Sequence, residues 1–219
     1  MRFDGKRALV TGGTRGIGLA ISIQLENLGC EVTAWDSSVD VRSHSLVHEK
    51  APAVDILINN AGIFGPVGSA LTYDISEWNR VLDINLTGQL TVAQAVIPGM
   101  VKRGYGRVVN MSSVVAKDTN PLCPAYTVSK AGIVALTRCL GLELAKTGVT
   151  VNCVMPAAVN TDLFKNTPPA QVEMMLKKAP MGRFVTVDEV ASIVCWLASE
   201  DCSATTGAAF DVAAGRCQF

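Results

Sequence analysis

The sequence has no excess of charge, no long apolar run and no cysteine pair with the spacing of a metal or redox site. Its 19 basic and 19 acidic side chains give a formal net charge of zero, which does not favour nucleic acid or an anionic membrane as a partner. No apolar run approaches the roughly 18 residues of a membrane-spanning helix. Charged residues make up only 17% of the chain and apolar residues 49%, which excludes a disordered protein.

The seven cysteines are scattered along the chain. None forms a C-x-x-C pair and no His/Cys cluster has zinc spacing, so we expect reduced thiols in the protein interior and no metal site. The first residues, MRFDGKRALVTGG, lack the uncharged apolar core of a signal peptide, which leads us to expect a soluble, cytoplasmic protein. At roughly 150 residues per domain, a chain of 219 residues predicts a single domain over 1–219.

Short apolar runs alternate with longer stretches of helical periodicity. Ile17, Ile21, Leu25 and Leu28, for example, form one stripe on a helix that follows the first apolar run, as expected for a buried helix face. The predicted strands are 7–11, 31–35, 54–58, 107–111, 149–154 and 208–212, and the predicted helices are 17–28, 76–100, 125–146 and 188–199. Apolar strands that alternate with helices are typical of a parallel sheet covered on both faces. The sequence therefore predicts an α/β fold, a doubly wound parallel sheet of the Rossmann type.

The connection between the second and third predicted strands is short. Asp36 follows the second strand and Val54 begins the third, so only residues 37–53 lie between them. A parallel crossover takes roughly a dozen residues or more. This segment therefore holds one crossover, and we predict six strands, with the usual edge strand after strand two missing or vestigial.

A glycine-rich turn, TGGTRGIG at 11–18, joins the first strand to the first helix. Glycines at positions 12, 16 and 18 allow a tight turn and a close approach of the backbone to a pyrophosphate, which the helix N-terminus attracts. Asp36 ends the second strand, near the roughly 20-residue offset at which a carboxylate accepts hydrogen bonds from the adenosine ribose. Each feature also has a purely structural interpretation, as a turn glycine or a turn aspartate. Together they predict a dinucleotide site.

A second group of polar residues is predicted near the same edge of the sheet. Tyr126 and Lys130 are four residues apart and share one face of a helix, while Ser113 follows the strand 107–111. Ligands of such sheets bind outside the carboxyl ends of the strands. A neighbouring ammonium and a cationic nicotinamide ring both favour the phenolate, so they would lower the pKa of Tyr126. Ser113 would then hydrogen-bond the reacting oxygen, and Asn85 would hold a water that relays protons from Lys130.

At these residues the chain resembles the classical short-chain dehydrogenase/reductase family. The matching motifs are TGGTRGIG at 11–18, NNAG at 59–62, Asn85 in LDINLTG, Ser113 in VVNMSSV and YTVSK at 126–130. The resemblance covers essentially the whole chain and implies nicotinamide-dependent oxidation of a secondary alcohol or reduction of a ketone. It also implies a homo-oligomer, a tetramer or dimer, built through the helices that carry Asn85 and Tyr126.

The resemblance also assigns roles to individual residues. Tyr126 would be the general acid/base, Lys130 would bind the ribose and lower the Tyr126 pKa, Ser113 would hold the substrate oxygen, and Asn85 would support the relay. The cofactor contacts that it implies are Gly12, Thr14, Arg15, Ile17, Gly18, Asp36, Asp40, Val41, Asn59, Ala61, Gly62, Tyr126, Lys130, Pro156, Val159 and Thr161.

Three features depart from the family pattern. The segment after Asp36 is shortened, which alters the adenine side of the cofactor site, and the family's Asp-Val pair beside the adenine remains there as Asp40-Val41. The family's Pro-Gly is Pro156-Ala157. An alanine at 157 makes a positive φ there unlikely. The chain ends in FDVAAGRCQF where the family usually has Gly-Gly, and this change has no functional interpretation.

Residues 157–185 are expected to form a substrate lid. Its apolar residues are Leu163, Phe164, Met174, Met175 and Leu176, and its cations are Lys165, Lys177, Lys178 and Arg183. The cations form either a solvated helix face or a receptor for a carboxylate or an acyl-carrier phosphopantetheine. The AAVNTDLF stretch resembles relatives that act on sugars and sugar acids, with 3-oxoacyl thioester reduction as the alternative. A non-catalytic nucleotide sensor, an epimerase and a dehydratase are further interpretations of the same scaffold.

Arg15 and Asp36 favour different cofactors. Arg15 can pair with the 2′-phosphate of NADP, whereas the Asp36 carboxylate would repel that phosphate. Because Asp36 at a strand end has less room to move than Arg15, we predict NAD, with NADP less favoured.

Overall fold

The computed structural model describes residues 1–159 and 169–216, and within them six strands form one parallel sheet. The strands are β1 (Arg7–Thr11), β2 (Glu31–Trp35), β3 (Ile56–Asn59), β4 (Gly106–Met111), β5 (Val149–Pro156) and β6 (Ala209–Val212). Their order is β2-β1-β3-β4-β5-β6, which confirms the predicted sheet. In the fully described segment 37–53 the one regular element is a short helix, so the edge strand beyond β2 is absent as predicted.

Helices cover both faces of the sheet. They are α1 (Gly16–Asn27), α2 (His44–Lys50), α3 (Ile75–Leu82), α4 (Gly88–Arg103), α5 (Pro124–Glu143), α6 (Pro169–Lys177) and α7 (Val187–Ala198), with a π-helical turn (Asp83–Thr87) between α3 and α4 and a 3₁₀ turn (Val114–Ala116). Ile21 of α1 and Val194 of α7 belong to one apolar core, and Val47 of α2 and Val96 of α4 to the other. No helix in the described part of the chain is long and apolar enough to cross a membrane.

Several predicted helix boundaries differ from those of the structure by one to three residues. The helix predicted to begin at Ser76 begins at Ile75, because the Asp74 carboxylate caps it by accepting a hydrogen bond from the Glu77 N–H at 3.0 Å. The π-helical turn continues this helix into α4, which ends before Gly104 in the left-handed region, with φ +69°. The long helix predicted to reach residue 146 ends at Glu143.

Ala214, just after β6, has a φ of +48°. A Cβ atom makes this left-handed conformation costly for alanine but not for glycine. We therefore expect Ala214→Gly to raise the free energy of unfolding by about 1 kcal/mol, as measured by urea denaturation. Ala213, which is not in the positive-φ region, supplies the control, because Ala213→Gly should give no gain. Equal effects of the two changes would mean that Ala214 is not strained.

Candidate active site

The order of the strands reverses between β1 and β3, and the loops that follow these two strands are bonded to each other. Asn60 donates from its side-chain amide to the carbonyls of Thr11, at 3.0 Å, and Gly12, at 3.1 Å. The Thr11 hydroxyl accepts the backbone N–H groups of Asn60 and Ala61, both at 3.0 Å. Sequence reasoning did not single out Asn60, although its place in the NNAG motif was visible. These bonds fix the crevice in which a dinucleotide is expected.

The glycine-rich turn has the geometry of a phosphate cradle. Gly12 has a φ of +63°, and a Cβ at Gly18 would overlap the Gly12 carbonyl and lie 2.6 Å from the Asn60 amide nitrogen. Arg15 precedes α1 in an extended conformation, and its side chain does not cap the helix. The first N–H groups of α1 therefore remain available to an anion. Thr14 is exposed at the turn, whereas Ile17 is half-buried and packs against the core.

Asp36 lies next to the glycine turn, because the Gly13 N–H donates to the carbonyl of the preceding Trp35 at 2.9 Å. Its carboxylate is exposed and accepts two hydrogen bonds from Ser38, from the N–H at 2.9 Å and the hydroxyl at 2.6 Å. These bonds hold the pKa of Asp36 below its usual value, so the group is an anion at neutral pH. Such an acceptor suits a ribose hydroxyl.

Asp40 and Val41, the pair predicted beside the adenine, differ in what their side chains contact. Arg42 donates to both oxygens of the Asp40 carboxylate, with the shortest contact at 2.7 Å. Val41 is buried in the core, and a Cβ built on Gly88 would lie 2.6 Å from its Cγ2. The Val41 side chain thus packs against the start of α4.

The NNAG motif places Asn59 in the core and Gly62 at the crevice. The Asn59 side chain is buried and donates to the Asn110 carboxamide oxygen at 3.0 Å and to the Gln89 carbonyl at 3.3 Å. Gly62 faces the crevice, since a Cβ there would lie 3.2 Å from Asn85 Oδ1 and 3.6 Å from Lys130 Nζ. Asn59 therefore supports the sheet, and Gly62 leaves room beside two of the predicted catalytic residues.

Ser113, Tyr126 and Lys130 lie together at the carboxyl end of β4. The Ser113 hydroxyl donates to the Pro156 carbonyl at 3.4 Å and lies near enough to the Tyr126 phenol to affect its pKa. Lys130 Nζ lies 5.5 Å from the centroid of the Tyr126 ring and donates to the Met111 carbonyl at 2.7 Å. The structure thus brings together the hydroxyl, phenol and ammonium that the sequence predicted.

Burial governs the protonation of this group in the protein alone. Burial raises the pKa of Tyr126 above its usual value, and the neighbouring Ser113 hydroxyl opposes that rise only in part. The Lys130 side chain is 4% exposed, and burial lowers its pKa to about 8. A depressed Tyr126 pKa therefore stays a prediction for the cofactor-bound state, in which the positive nicotinamide ring lies nearby.

Asn85 lies in the π-helical turn, completely buried. Its Oδ1 accepts the Ile63 N–H and its Nδ2 donates to the Ile63 carbonyl, both at 2.8 Å. Nδ2 also donates at 3.0 Å to the Ser129 hydroxyl, which in turn donates to the Tyr126 carbonyl at 2.7 Å. The side chain therefore joins the Gly62–Ile63 segment to α5, and its part in a water relay stays a prediction.

Phe64 forms a wall beside the phenol that sequence reasoning missed. Its ring lies 4.9 Å from the Tyr126 ring, and 45% of its surface is exposed. The Gly68 N–H donates to the Leu122 carbonyl at 2.9 Å, which ties the loop after Phe64 to the loop before α5. Only its position after the NNAG motif could have suggested this role.

Part of the predicted lid, residues 157–185, lies within the described residues. Ala157 is outside the positive-φ region, as expected, and its N–H donates to the Val212 carbonyl at 2.9 Å. Val159 is buried and pairs with Val185 through a parallel β-bridge. Residues Thr161, Leu163, Phe164 and Lys165 lie outside the described residues. Lys177 of α6 is bound to Glu173 at 3.0 Å.

Comparison with known proteins supports the same kind of chemistry. A family model described as enoyl-(acyl carrier protein) reductase matches residues 42–216. The chain is 37% identical to the NAD⁺-dependent 2-dehydro-3-deoxy-L-rhamnonate dehydrogenase of Sphingomonas sp. (strain SKA58), over 100% of this chain and 98% of the relative. It is 34% identical to the 3-oxoacyl-(acyl-carrier-protein) reductase of Buchnera aphidicola, over 98% of each. The structure of an NAD⁺-bound xylitol dehydrogenase superimposes with a TM-score of 0.90 at 28% identity, over 98% of this chain and 100% of that one.

These matches span nearly the whole chain and include both the crevice and the Ser113, Tyr126 and Lys130 group. The two relatives are named as a dehydrogenase and a 3-oxoacyl reductase, in agreement with the chemistry predicted for that group. The chain belongs to the short-chain dehydrogenase/reductase family and is an NAD(P)-dependent oxidoreductase acting on CH–OH groups.

Proposed function

We propose that this enzyme interconverts a secondary alcohol and a ketone on a sugar or sugar acid, with NAD as the cofactor. One observation carries the proposal: the Tyr126 phenol lies beside both the Ser113 hydroxyl and the buried Lys130 ammonium. A hydroxyl, a phenol and a cation in one crevice suit proton transfer at a substrate oxygen. The sugar or sugar acid is favoured by the resemblance to the rhamnonate and xylitol dehydrogenases.

In the proposed mechanism the side chains of the protein carry out the proton transfer. A bound nicotinamide would supply hydride transfer to or from the carbinol carbon. Tyr126, as the phenolate, removes the hydroxyl proton of the substrate during oxidation, and the phenol returns it during reduction. Ser113 donates a hydrogen bond to the reacting oxygen, and the Lys130 cation stabilises the phenolate.

The residues present fit a nicotinamide dinucleotide. The N-terminus of α1 and the turn containing Gly12 and Gly18 would hold the pyrophosphate, because the backbone N–H groups are free and no side chain fills the turn. Asp36 would accept from the adenosine ribose, and Lys130 would donate to the nicotinamide ribose. Arg15 would lie beside the phosphates.

Asp36 should decide between NAD and NADP. A phosphate about 4 Å from this carboxylate would be repelled by roughly 1 kcal/mol in water and about 4 kcal/mol at an effective dielectric of 20. We expect kcat/KM to favour NAD by at least about tenfold and Asp36→Ser to relax that preference. Glu31→Gln, at the other end of β2, is the control and should leave the ratio unchanged. Equal kcat/KM values for the two cofactors in the wild type would show that Asp36 does not face the ribose.

Reduction of a 3-oxoacyl thioester is the second candidate, because of the 34% identity to an acyl-carrier-protein reductase. A panel of alditols, aldonates and 3-oxoacyl thioesters, each with NAD and NADP, separates the two by nicotinamide absorbance. Our proposal predicts the highest kcat/KM for an alditol or aldonate. The highest value for a thioester would replace it with the second candidate.

The predicted homo-oligomer is part of the proposal. α5 exposes Val128 and Leu142, the latter 80% exposed, and α4 exposes Val101. Apolar side chains on two neighbouring helices suit burial against another copy of the chain. Light scattering of the purified protein tests this, and a monomeric mass would contradict it.

A further inference from the structure

A small open pocket of about 10 Å³, room for about one water molecule, lies between the end of β5 and α6. The described residues that line it are four alanines, Met175, Phe184 and two arginines, Arg183 and Arg216. No carboxylate belongs to this described lining. The ionisable groups of this lining are both cations, which attract an anion.

The pocket adjoins the proposed reaction centre. Ala157, which contributes to its wall, directly follows Pro156, and the carbonyl of Pro156 accepts a hydrogen bond from Ser113 at 3.4 Å. Met175 on the opposite side belongs to α6, within the predicted substrate lid. A substrate held at Ser113 and Tyr126 therefore has the pocket as a neighbour.

The two arginines differ in what they are free to bind. Arg183 donates from both terminal nitrogens to Glu189, at 2.9 and 2.6 Å, and Glu189 in turn caps α7. This arginine is engaged in holding the start of α7. Arg216 makes one side-chain contact with a described residue, from Nε to the Asp118 carboxylate at 2.8 Å. Its two terminal nitrogens bond no other described side chain or carbonyl.

Arg216 also has the environment of a binding residue. Its side chain is only 13% exposed, whereas that of Asp118 is 41% exposed. A guanidinium presents five N–H donors in a planar fork that matches a carboxylate, and partial burial strengthens such a pair. Asp118 fixes the fork through Nε and lies on the loop that begins at Ser113.

We propose that Arg216 binds a carboxylate of the substrate, so that the preferred substrate is a polyhydroxy acid rather than a neutral polyol. The inference rests on the proposed function and narrows it to one substrate class. The carboxylate lies at the open side of this pocket, beside α6, and contacts the terminal nitrogens of Arg216. The carbinol carbon meanwhile lies at Tyr126.

The test compares Arg216→Met with wild type on aldonates and on alditols of the same chain length. A charge-assisted hydrogen-bonded pair is lost only with the acids, so kcat/KM for aldonates should fall at least about tenfold. The value for alditols should stay within about threefold. Arg2→Met is the control, since Arg2 forms an exposed pair with Asp4, and it should change neither value. Equal losses on acids and polyols would overturn the inference.

The variant Asp118→Asn distinguishes carboxylate binding by Arg216 from a purely structural role of the Arg216–Asp118 ion pair. It removes the charge of the partner but keeps the Arg216 cation, so we expect the preference for aldonates to be retained or increased. If the ion pair only held the C-terminal segment in place, Asp118→Asn would reduce activity on acids and polyols alike, against the proposal. Should Arg216→Met fail to fold, Arg216→Lys replaces it, with the same loss expected on aldonates.

Inhibition by propionate tests carboxylate binding independently of the proposed function. In the wild type, propionate should compete with the polyol during alditol oxidation, and Arg216→Met should abolish that competition. An enzyme that oxidises alditols without inhibition by propionate refutes carboxylate binding while the proposed function stands. An enzyme inactive on all alditols and aldonates refutes the proposed function, and calorimetry with gluconate then decides whether Arg216 binds a carboxylate.

Discussion

Tyr126→Phe should lower kcat by at least about 100-fold, the low end of what a positioned general acid/base contributes. In the proposed mechanism the phenol exchanges a proton with the substrate oxygen, and phenylalanine cannot replace it. Cofactor affinity should change little, because the ring and its contact with Phe64, at 4.9 Å, remain. Steady-state kinetics give kcat, and calorimetry gives the dissociation constant of NAD.

Tyr105→Phe is the matched control. Tyr105 precedes β4, at the amino ends of the strands and away from the crevice, and its ring centroid lies 3.8 Å from Lys6 Nζ. Removal of its hydroxyl should leave kcat unchanged. Near-normal turnover of Tyr126→Phe would remove Tyr126 from the mechanism.

Lys130→Met should abolish most activity and yet stabilise the protein alone. The Lys130 ammonium is 4% exposed and donates to the Met111 carbonyl, and no described carboxylate pairs with it. Replacing a buried charge with an apolar side chain of similar size often stabilises a protein by about 1–3 kcal/mol. Turnover should fall at least about 100-fold, because the phenolate loses its neighbouring cation.

The stability difference should depend on pH in a defined direction. Burial lowers the pKa of Lys130 from 10.5 to about 8, so the unfolded chain binds more protons than the native one between these values. Wild-type stability therefore rises from pH 8 towards 10.5 relative to Lys130→Met, and the advantage of the variant shrinks. Urea denaturation at several pH values measures this, with the exposed Lys102→Met as control. A constant difference across this range would show that Lys130 is not charged and buried in the native protein.

Much of the fold follows from local patterns in the sequence. The apolar strand runs predicted six parallel strands, and the brevity of residues 37–53 predicted the missing edge strand, because chain length limits a crossover whatever the tertiary packing. Helix boundaries were less predictable. Asp74 and Ser76 are both good capping residues, and only the backbone geometry shows that Asp74 accepts the Glu77 N–H.

The candidate site was predictable in its residue types but not in its contacts. Ser113, Tyr126 and Lys130 follow from spacing, since a helix places Tyr126 and Lys130 on one face. The bonds of Asn60 to Thr11, of Asn85 to Ile63 and of Arg216 to Asp118 join distant segments. Such contacts depend on how loops meet in three dimensions, and local periodicity carries no information about them.

The most direct test of the account is the fate of hydrogen from the carbinol carbon. Alditols and aldonates deuterated at their carbinol carbons are incubated with the protein and NAD, and the reduced cofactor is analysed by mass spectrometry. The account predicts deuterium on the cofactor with the wild type and at least about 100-fold slower transfer with Tyr126→Phe. Binding of NAD without any transfer of deuterium from these substrates would contradict it.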